Sequence, residues 1–417
     1  MPRPTARAAA GSRTAPAPAG LRGVLALGGP SLPLLGFLAR LPAALCPIGT
    51  LLLVNSREGI GRAGAVAAAL WLGQALGGPV IGRLADRRGH RPVLLTACGA
   101  NAAALAGLLA VILAGLEPAA PVGLAVVAGL TVPQVGPLAR ARWARLAGED
   151  KALLGSALSL DTTLDEVGFV VGPALAGILA VTVHPASALV LAAVLILVAG
   201  TLFALHPSAP GPLARGGARG GVRLWSPGLA LLCALAVLQG AAWSGANTGV
   251  NALAESVGEP GAAGPVWAAM AVTSSVAGLV TVARPGRAGP VVRLRLSIGI
   301  QALLALSLLA VGGLWGAAAA VAAIGLAVAP HLIALFALVE RTGPAERVAE
   351  AMTVVGSGLI IGQALAAAVA GPLAAAHGHR AAFALACAAA VASAVTAAVA
   401  AREGRFEPLR DRVPSSK

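Results

Sequence analysis

The sequence predicts an all-α integral membrane protein: twelve transmembrane helices in two six-helix bundles, with both termini cytoplasmic. Three observations predict it. Of 417 residues, 58% are hydrophobic and only 11% charged, too little polar surface to cover a soluble fold. Mostly apolar segments of about 20 residues, the length that crosses a bilayer, recur along almost the whole chain. Lys and Arg partition to one set of the intervening loops, as cytoplasmic loops retain them.

Residues 1–30, rich in Ala, Pro, Gly and Arg, lack the uninterrupted apolar core and small-residue cleavage site of a secretory signal. They read as a disordered cytoplasmic tail. Spans follow at 32–54, 64–81, 92–115, 120–138, 154–180 and 186–205, which gives a first bundle over 31–205. A Pro, Gly and Arg-rich cytoplasmic linker occupies 206–226. The second bundle, 227–401, holds spans at 227–250, 263–283, 296–312, 314–338, 351–373 and 380–401, followed by a cytoplasmic tail at 402–417.

With both ends inside, the outer loops carry only Arg57, Arg62 and Arg380, and Arg40 lies within the first helix. The rest of the 30 Lys and Arg fall on the cytoplasmic side. The formal charge of +14 is therefore topology signal and contact with anionic lipid, and it requires no nucleic-acid partner. Cys46, Cys98, Cys233 and Cys387 are widely spaced within helices, which implies neither a disulfide framework nor a metal cluster. No cofactor is expected.

Between the second and third spans lies Gly82-Arg-Leu-Ala-Asp86-Arg87-Arg-Gly89-His90-Arg91, a burst of charge that marks a tight, solvated turn at a membrane face. Elsewhere, Gly168-Phe-Val-Val-Gly172-Pro173-Ala-Leu-Ala-Gly177-Ile-Leu-Ala aligns without gaps to Gly358-Leu-Ile-Ile-Gly362-Gln363-Ala-Leu-Ala-Ala-Ala-Val-Ala. Helices rich in Ala and Gly resemble one another by composition alone. Both segments nevertheless fall in the fifth helix of a six-helix half, which favours a parallel repeat.

The Gly82 to Arg91 segment resembles the signature loop between helices two and three of the major facilitator superfamily. The Gly168, Gly172, Pro173 and Gly177 pattern is similar to that superfamily's fifth-helix antiporter motif. With twelve spans and a central linker, the resemblance covers residues 32–401. It implies a monomeric multi-pass transporter of the cytoplasmic membrane, working on a small molecule by alternating access. His90 replaces a basic residue usual in the family, and the matching loop of the second half, Arg284 to Arg293, has no aspartate. The family's mid-membrane arginine of the fourth helix is not evident, since Arg140, Arg142 and Arg145 cluster at that helix's cytoplasmic end.

In the signature loop, Gly82 and Gly89 permit a close approach or a turn that a Cβ would hinder. Asp86 can accept hydrogen bonds from amides at a helix start or from a neighbouring arginine. The resemblance implies a gate in which Gly82, Asp86, Arg87, Gly89 and Arg91 hold the halves together at the cytoplasmic side in one state. A purely structural turn carrying topology charges is the alternative. The positive-inside rule accounts for the arginines and leaves the aspartate unexplained.

The fifth helix holds the candidates for proton coupling. Rising about 1.5 Å per residue from Leu154, it places Asp165 roughly 16 Å deep, near mid-membrane, with Asp161 one turn nearer the cytoplasm. Asp161, Asp165, Gly168 and Gly172 share one helical face, and Glu166, Pro173 and Gly177 the adjoining one. Arg40 lies at a comparable depth without a local acid, so a pair with Asp165 or Asp161 is expected, either as a fixed neutralising pair or as part of a proton-exchanging set.

The seventh helix supplies candidates for a substrate cavity: Gln239, Trp243, Asn247 and Asn251 lie on one stripe, with Gln363 a further candidate from the eleventh helix. Hydrogen bonding between helices is the competing reading. His331, after Pro330, reads as a packed or capping histidine, and Glu350 as a residue favoured by its helix N-terminus.

Export by proton antiport is the leading functional reading, and uptake by proton symport uses the same parts. An integral membrane enzyme would need acids, histidines or metal ligands clustered on a substantial loop, and the outer loops are short and poor in them. No Gly-rich loop followed by Lys-Ser/Thr supports ATP-driven transport. A non-transporting sensor or scaffold is the third class, distinguished by a sealed cavity with every carboxylate paired. The absence of tyrosine and the six phenylalanines argue against a large aromatic pocket, although Trp71, Trp243 and Trp267 can stack a ligand.

Overall fold

The computed structural model describes residues 20–402 apart from 59, 118, 212–222, 260–261 and 284–287. The tails at 1–19 and 403–417, the middle of the linker and the start of the Arg284 to Arg293 loop therefore lie outside the described residues. Among the described residues there are no strands, and twelve segments are long and apolar enough to cross a membrane.

The first half comprises α2 (Ser31–Glu58), α3 (Ile60–Arg88), α4 (His90–Ala114), the pair α5 (Ala119–Leu130) and α6 (Val135–Ala147), α7 (Lys151–Thr182), and a sixth span made of α8 (Ser187–Leu195), a π-turn at Ile196–Gly200 and α9 (Thr201–Leu205). The second half comprises α10 (Pro227–Ser256), α11 (Ala263–Ala283), α12 (Pro290–Ala305) with a 3-10 turn at Leu306–Ala310, α13 (Leu314–Thr342), α14 (Val348–His377) and α15 (His379–Arg402). Segments 296–312 and 314–338, nearly contiguous in sequence, separate at the extended Val311 that follows the 3-10 turn.

Local signals set the helix ends. Asp150 caps α7 by accepting the amides of Ala152 and Leu153, each at 3.0 Å. Ser226 caps α10 through the Leu229 amide, with Pro227 pre-set for the first turn. The fourth span is two helices rather than one. Pro133 lacks the amide that would continue the ladder, and the chain runs non-helically from Val132 to Gln134. Asn101 on α4 answers the break by donating its amide to Ala128 O at 2.6 Å.

The expected disordered tail needs correction over its described part. Residues Leu21–Gly28 form a helix, α1, whose Val24 is fully buried and whose leading Gly20 amide donates to Ser156 Oγ on α7 at 3.1 Å. Leu27 packs with the Trp143 and Leu154 clusters, so burial of an apolar face on α6 and α7 orders a stretch too short to hold a helix by itself.

The halves meet through α3 on α14, α7 on α11 and α13, and α6 on α14. The side-chain contacts along this seam run inward from the end of the molecule bearing the Asp86 loop, hereafter the Asp86 face. They include Gly82 on Thr353, Thr163 on Gly278, and Ala337 with the Leu154 and Leu158 cluster.

Candidate functional site

Two constellations carry chemistry, and α7 organises the deeper one. Arg40, 7% exposed, donates Nη2 to Asp161 Oδ1 and Nη1 to Asp165 Oδ1, each at 2.7 Å. Its Nη1 also reaches the Asp161 backbone carbonyl at 2.9 Å and its Nε the Gly36 carbonyl at 2.9 Å, so three of its nitrogens are engaged.

Arg140 is the second cation at the same two acids. Its Nη2 pairs with Asp165 Oδ2, and its Nε lies 3.3 Å from Asp161 Oδ2 as an ion pair without hydrogen-bond alignment. The expectation that Arg140 stays with Arg142 and Arg145 at the helix end is overturned. The reason is depth: α6 and α7 run antiparallel, Asp161 stands about 15 Å in from Lys151, and Arg140 about 10 Å in from Ala147, a gap its long side chain spans. The guanidinium of Arg140 also lies over the Phe336 ring of α13 at 3.9 Å, which ties this charge network to the other half.

Two arginines against two aspartates balance the charge. Glu166, 5% exposed, is the remaining acid, and no salt bridge reaches it among the described residues. Its electrostatic neighbours are Asp165, Ser274 of α11 and Arg140. It stands at the seam, one turn beyond Thr163, which touches Gly278 of α11. Of the network, Asp165 alone keeps appreciable side-chain exposure, at 20%.

The glycines sharing the Asp161 and Asp165 face set how closely α7 approaches α2. A Cβ at Gly172 would stand 2.6 Å from Ala44 Cβ, and Gly168 faces Leu41. The aligned glycines of α14 act in the same way against α10: Gly362 lies on the Val237 backbone and Gly358 on Cys233 and Ala236. Gly177 faces no atom within 4 Å, so the motif packs closely over only part of its length. Pro173 continues the helix between them.

On α10 the amide stripe is graded in depth. Gln239 is 2% exposed and its Nε2 has no partner; Trp243 is half-buried with Nε1 unpartnered; Asn247 is half-buried. Asn251 is exposed and donates its amide to the Asn247 carbonyl at 2.8 Å within its own helix. Gln363 is half-buried on α14. No described bond links these five side chains to another helix. His331 is fully buried, with Nδ1 3.1 Å from Gln301 Oε1.

The second constellation joins the halves at the Asp86 face. Asp86 Oδ1 accepts the Ala349 amide at 3.1 Å and Oδ2 the Glu350 amide at 2.8 Å, so the aspartate of one half caps α14 of the other. Arg347 and Glu350 form a two-point pair beside it at 2.7 and 2.6 Å. Gly82 lies where a Cβ would collide with Thr353 and sit 2.8 Å from the Ala349 carbonyl. Gly89 takes φ 89°, a left-handed conformation, as it turns the chain from α3 into α4. Arg87 and Arg91 are exposed.

The family model described as Major Facilitator Superfamily matches residues 34–339. A comparison with curated proteins finds no match. Among solved structures, the human organic anion transporter MFSD10 (TETRAN) superposes with TM-score 0.65 at 18% identity, covering 90% of this chain and 98% of that one. The E. coli fucose:proton symporter FucP gives TM-score 0.66 at 15% identity, with 88% and 97% covered. A bacterial homologue of the iron transporter ferroportin, in an outward-facing state, gives 0.67 at 16% identity, with 89% and 98% covered. At these identities the likeness is one of fold.

Proposed function

The chain belongs to the major facilitator superfamily, and from that premise we propose that this transporter is a secondary active exporter that exchanges a small molecule for protons across the cytoplasmic membrane. The observation that carries the reading is the α7 network: Asp161 and Asp165 share Arg40 and Arg140 while Glu166, next in sequence, is buried at the seam and forms no salt bridge among the described residues. A carboxyl so placed costs little to hold when it carries a proton and much when it does not, which links its proton to which face the seam opens. Asp165 and Glu166 are the proton-exchanging groups, and Asp161 and Arg40 hold them in register.

The Asp86 face is the cytoplasmic one, on the distribution of Lys and Arg. Asp86 on the α14 amides is then the contact that shuts the cytoplasmic side, leaving the protein in an outward-facing state, as in the ferroportin homologue. Gln239, Trp243, Asn247, Asn251 and Gln363 are the substrate-side groups of the second half.

Proton flux in inside-out vesicles with a preformed pH gradient, challenged with drugs, sugars and amino acids, tests the proposal. A compound that dissipates the gradient with the wild type and not with Asp165→Asn or Glu166→Gln supports proton exchange through α7. Dissipation that survives both substitutions removes the coupling assignment. Uptake by symport is read by the same assay, because the compound then drives protons in the direction it moves itself.

A further inference from the structure

Helix α6 packs on α7 in its own half and on α14 in the other, and it meets α13 through a few side chains. Near the Asp86 face a cavity of ≈ 310 Å³ stands between α6 and α13, with Ala141, Ala144 and Arg145 of α6 and Glu340 of α13 in its lining. Deeper in, Ala144 and Ala337 adjoin the Leu154 and Leu158 cluster. Arg140 lies one turn beyond Ala144, and its guanidinium carbon stands 3.9 Å from the centroid of the Phe336 ring. Both side chains are buried, Arg140 at 5% and Phe336 at 2% exposure, so this stack joins the halves out of reach of solvent.

A guanidinium is planar, and it offers its edge and its face to different partners at once. Arg140 uses both. Its edge meets the acids of its own half, with Nη2 on Asp165 Oδ2 and Nε 3.3 Å from Asp161 Oδ2. Its face covers a ring fixed in the core of the second half. The contact with Asp165 therefore helps to set the plane that the ring receives. A proton on Asp165 replaces that ion pair by a weaker bond to a neutral acid, and the plane is free to turn off the ring. The other charged groups around Arg140 among the described residues are Arg40 from α2 and Asp161 and Glu166 from α7; α11 brings Ser274 beside Glu166, and α13 brings the ring.

We propose that Phe336 is a positioning residue of the proton-exchange machinery: acting through Arg140, it makes closure of the Asp86 face depend on the charge of Asp165. The inference rests on the reading of Asp165 as a proton-exchanging group. With Asp165 ionised, Arg140 is held over the ring, and a desolvated cation on an aromatic face binds one half to the other. With Asp165 protonated, the stack loosens and the closed arrangement loses what it contributed. A proton taken up from the outer side thus weakens the closure at the inner side, which is the order that exchange requires.

The test is a double-substitution cycle between Asp165 and Phe336 on the full chain in nanodiscs, at one fixed pH so that Asp86 keeps a single charge state throughout. Nitroxides on Arg88→Cys and Arg341→Cys, exposed positions on opposite halves at this face, report the closed and open populations by double electron–electron resonance, with Cys46, Cys98, Cys233 and Cys387 replaced by alanine. Asp165→Asn stands for the protonated acid. A ring-fluorinated phenylalanine in place of Phe336 keeps the shape of the side chain and withdraws charge from the ring face, so it separates the stack from apolar packing and from misfolding. Fluorination is expected to lower the closed-to-open ratio about tenfold. Asp165→Asn lowers it as well, and the combination goes no lower than the larger single effect. Losses that multiply in the combination, or a ratio indifferent to fluorination, overturn the role of Phe336 and leave the reading of Asp165 standing. A ratio unchanged by Asp165→Asn alone overturns both.

Discussion

Asp86 and Glu350, on opposite halves of the molecule, are joined by a 2.8 Å hydrogen bond from the Glu350 amide to the Asp86 carboxylate, with the Ala349 amide at 3.1 Å on the other oxygen. The bond is an N-cap delivered by a different helix, so its strength adds directly to the closed arrangement of this face. Loss of a cap costs about 1 kcal/mol, and a kilocalorie shifts a two-state ratio about fivefold. Ser357 of α14 sits in the seam against Gly78 of α3, so Asp86→Ala is expected to raise the rate at which maleimide labels Ser357→Cys several-fold in membranes. Labelling at the parent rate would leave Asp86 as a turn residue only.

Gly82 tests the same seam by volume. An added methyl meets Thr353 and also the Ala349 carbonyl, and only the first can be trimmed. Gly82→Ala is expected to open the face as Asp86→Ala does, and Thr353→Ala to restore closure only in part, read by the same labelling. Full restoration would mean that the backbone contact gives way freely.

The buried charge network is predicted to behave as one unit. Removing a single member strands a charge and costs on the order of 3–5 kcal/mol, whereas removing both partners costs less than the sum. Arg40→Gln is expected to lower the thermal midpoint sharply, and Arg40→Gln with Asp161→Asn to recover much of it. Arg40→Lys is not expected to rescue, because one ammonium cannot reach both aspartates and the Gly36 carbonyl in the guanidinium's plane. Strict additivity in the double variant would dissolve the network into independent pairs.

How far these contacts are legible in the sequence depends on what each requires. Arg40 and Asp165 are legible as partners because equal depth in packed helices is a matter of counting residues. Arg140 is not: Pro133 hides how the fourth span divides, and the reach of a long side chain is invisible to a helix tally. Spacing places Gly172 and Gly362 in register by their duplication, and the structure sets both against the first helix of their own half. Spacing also puts Gly177 in the same motif, yet a Cβ there would meet nothing within 4 Å, because it lies about 140° round the helix from Gly172, off the face that meets α2. Helix α1 escapes notice since its stability lies in burial on α6 and α7 rather than in its own eight residues.

The repeated glycines predict an asymmetry. At Gly172 the obstacle to a methyl is the Ala44 side chain; at Gly362 it is the Val237 main chain. Gly172→Ala is expected to lower the folded yield modestly and to be rescued by Ala44→Gly. Gly362→Ala is expected to cost more, with no side-chain rescue, because the helix backbones themselves must separate. Equal losses, or rescue of neither, would show that both positions yield by whole-helix movement.

Gln239 separates stability from transport. Its Nε2 is buried without a partner, so the amide pays a desolvation cost that the fold does not recover. Replacing it by a leucine removes the orphaned group, and the thermal midpoint is expected to stay level or rise. If the amide exists to meet substrate, transport falls in the same variant, and Trp243→Phe, which deletes the other unpartnered donor one turn away, lowers it too. A loss of stability in Gln239→Leu would instead point to a bond between helices that holds α10 in place. Unchanged transport in both variants would move the substrate-binding groups off this stripe.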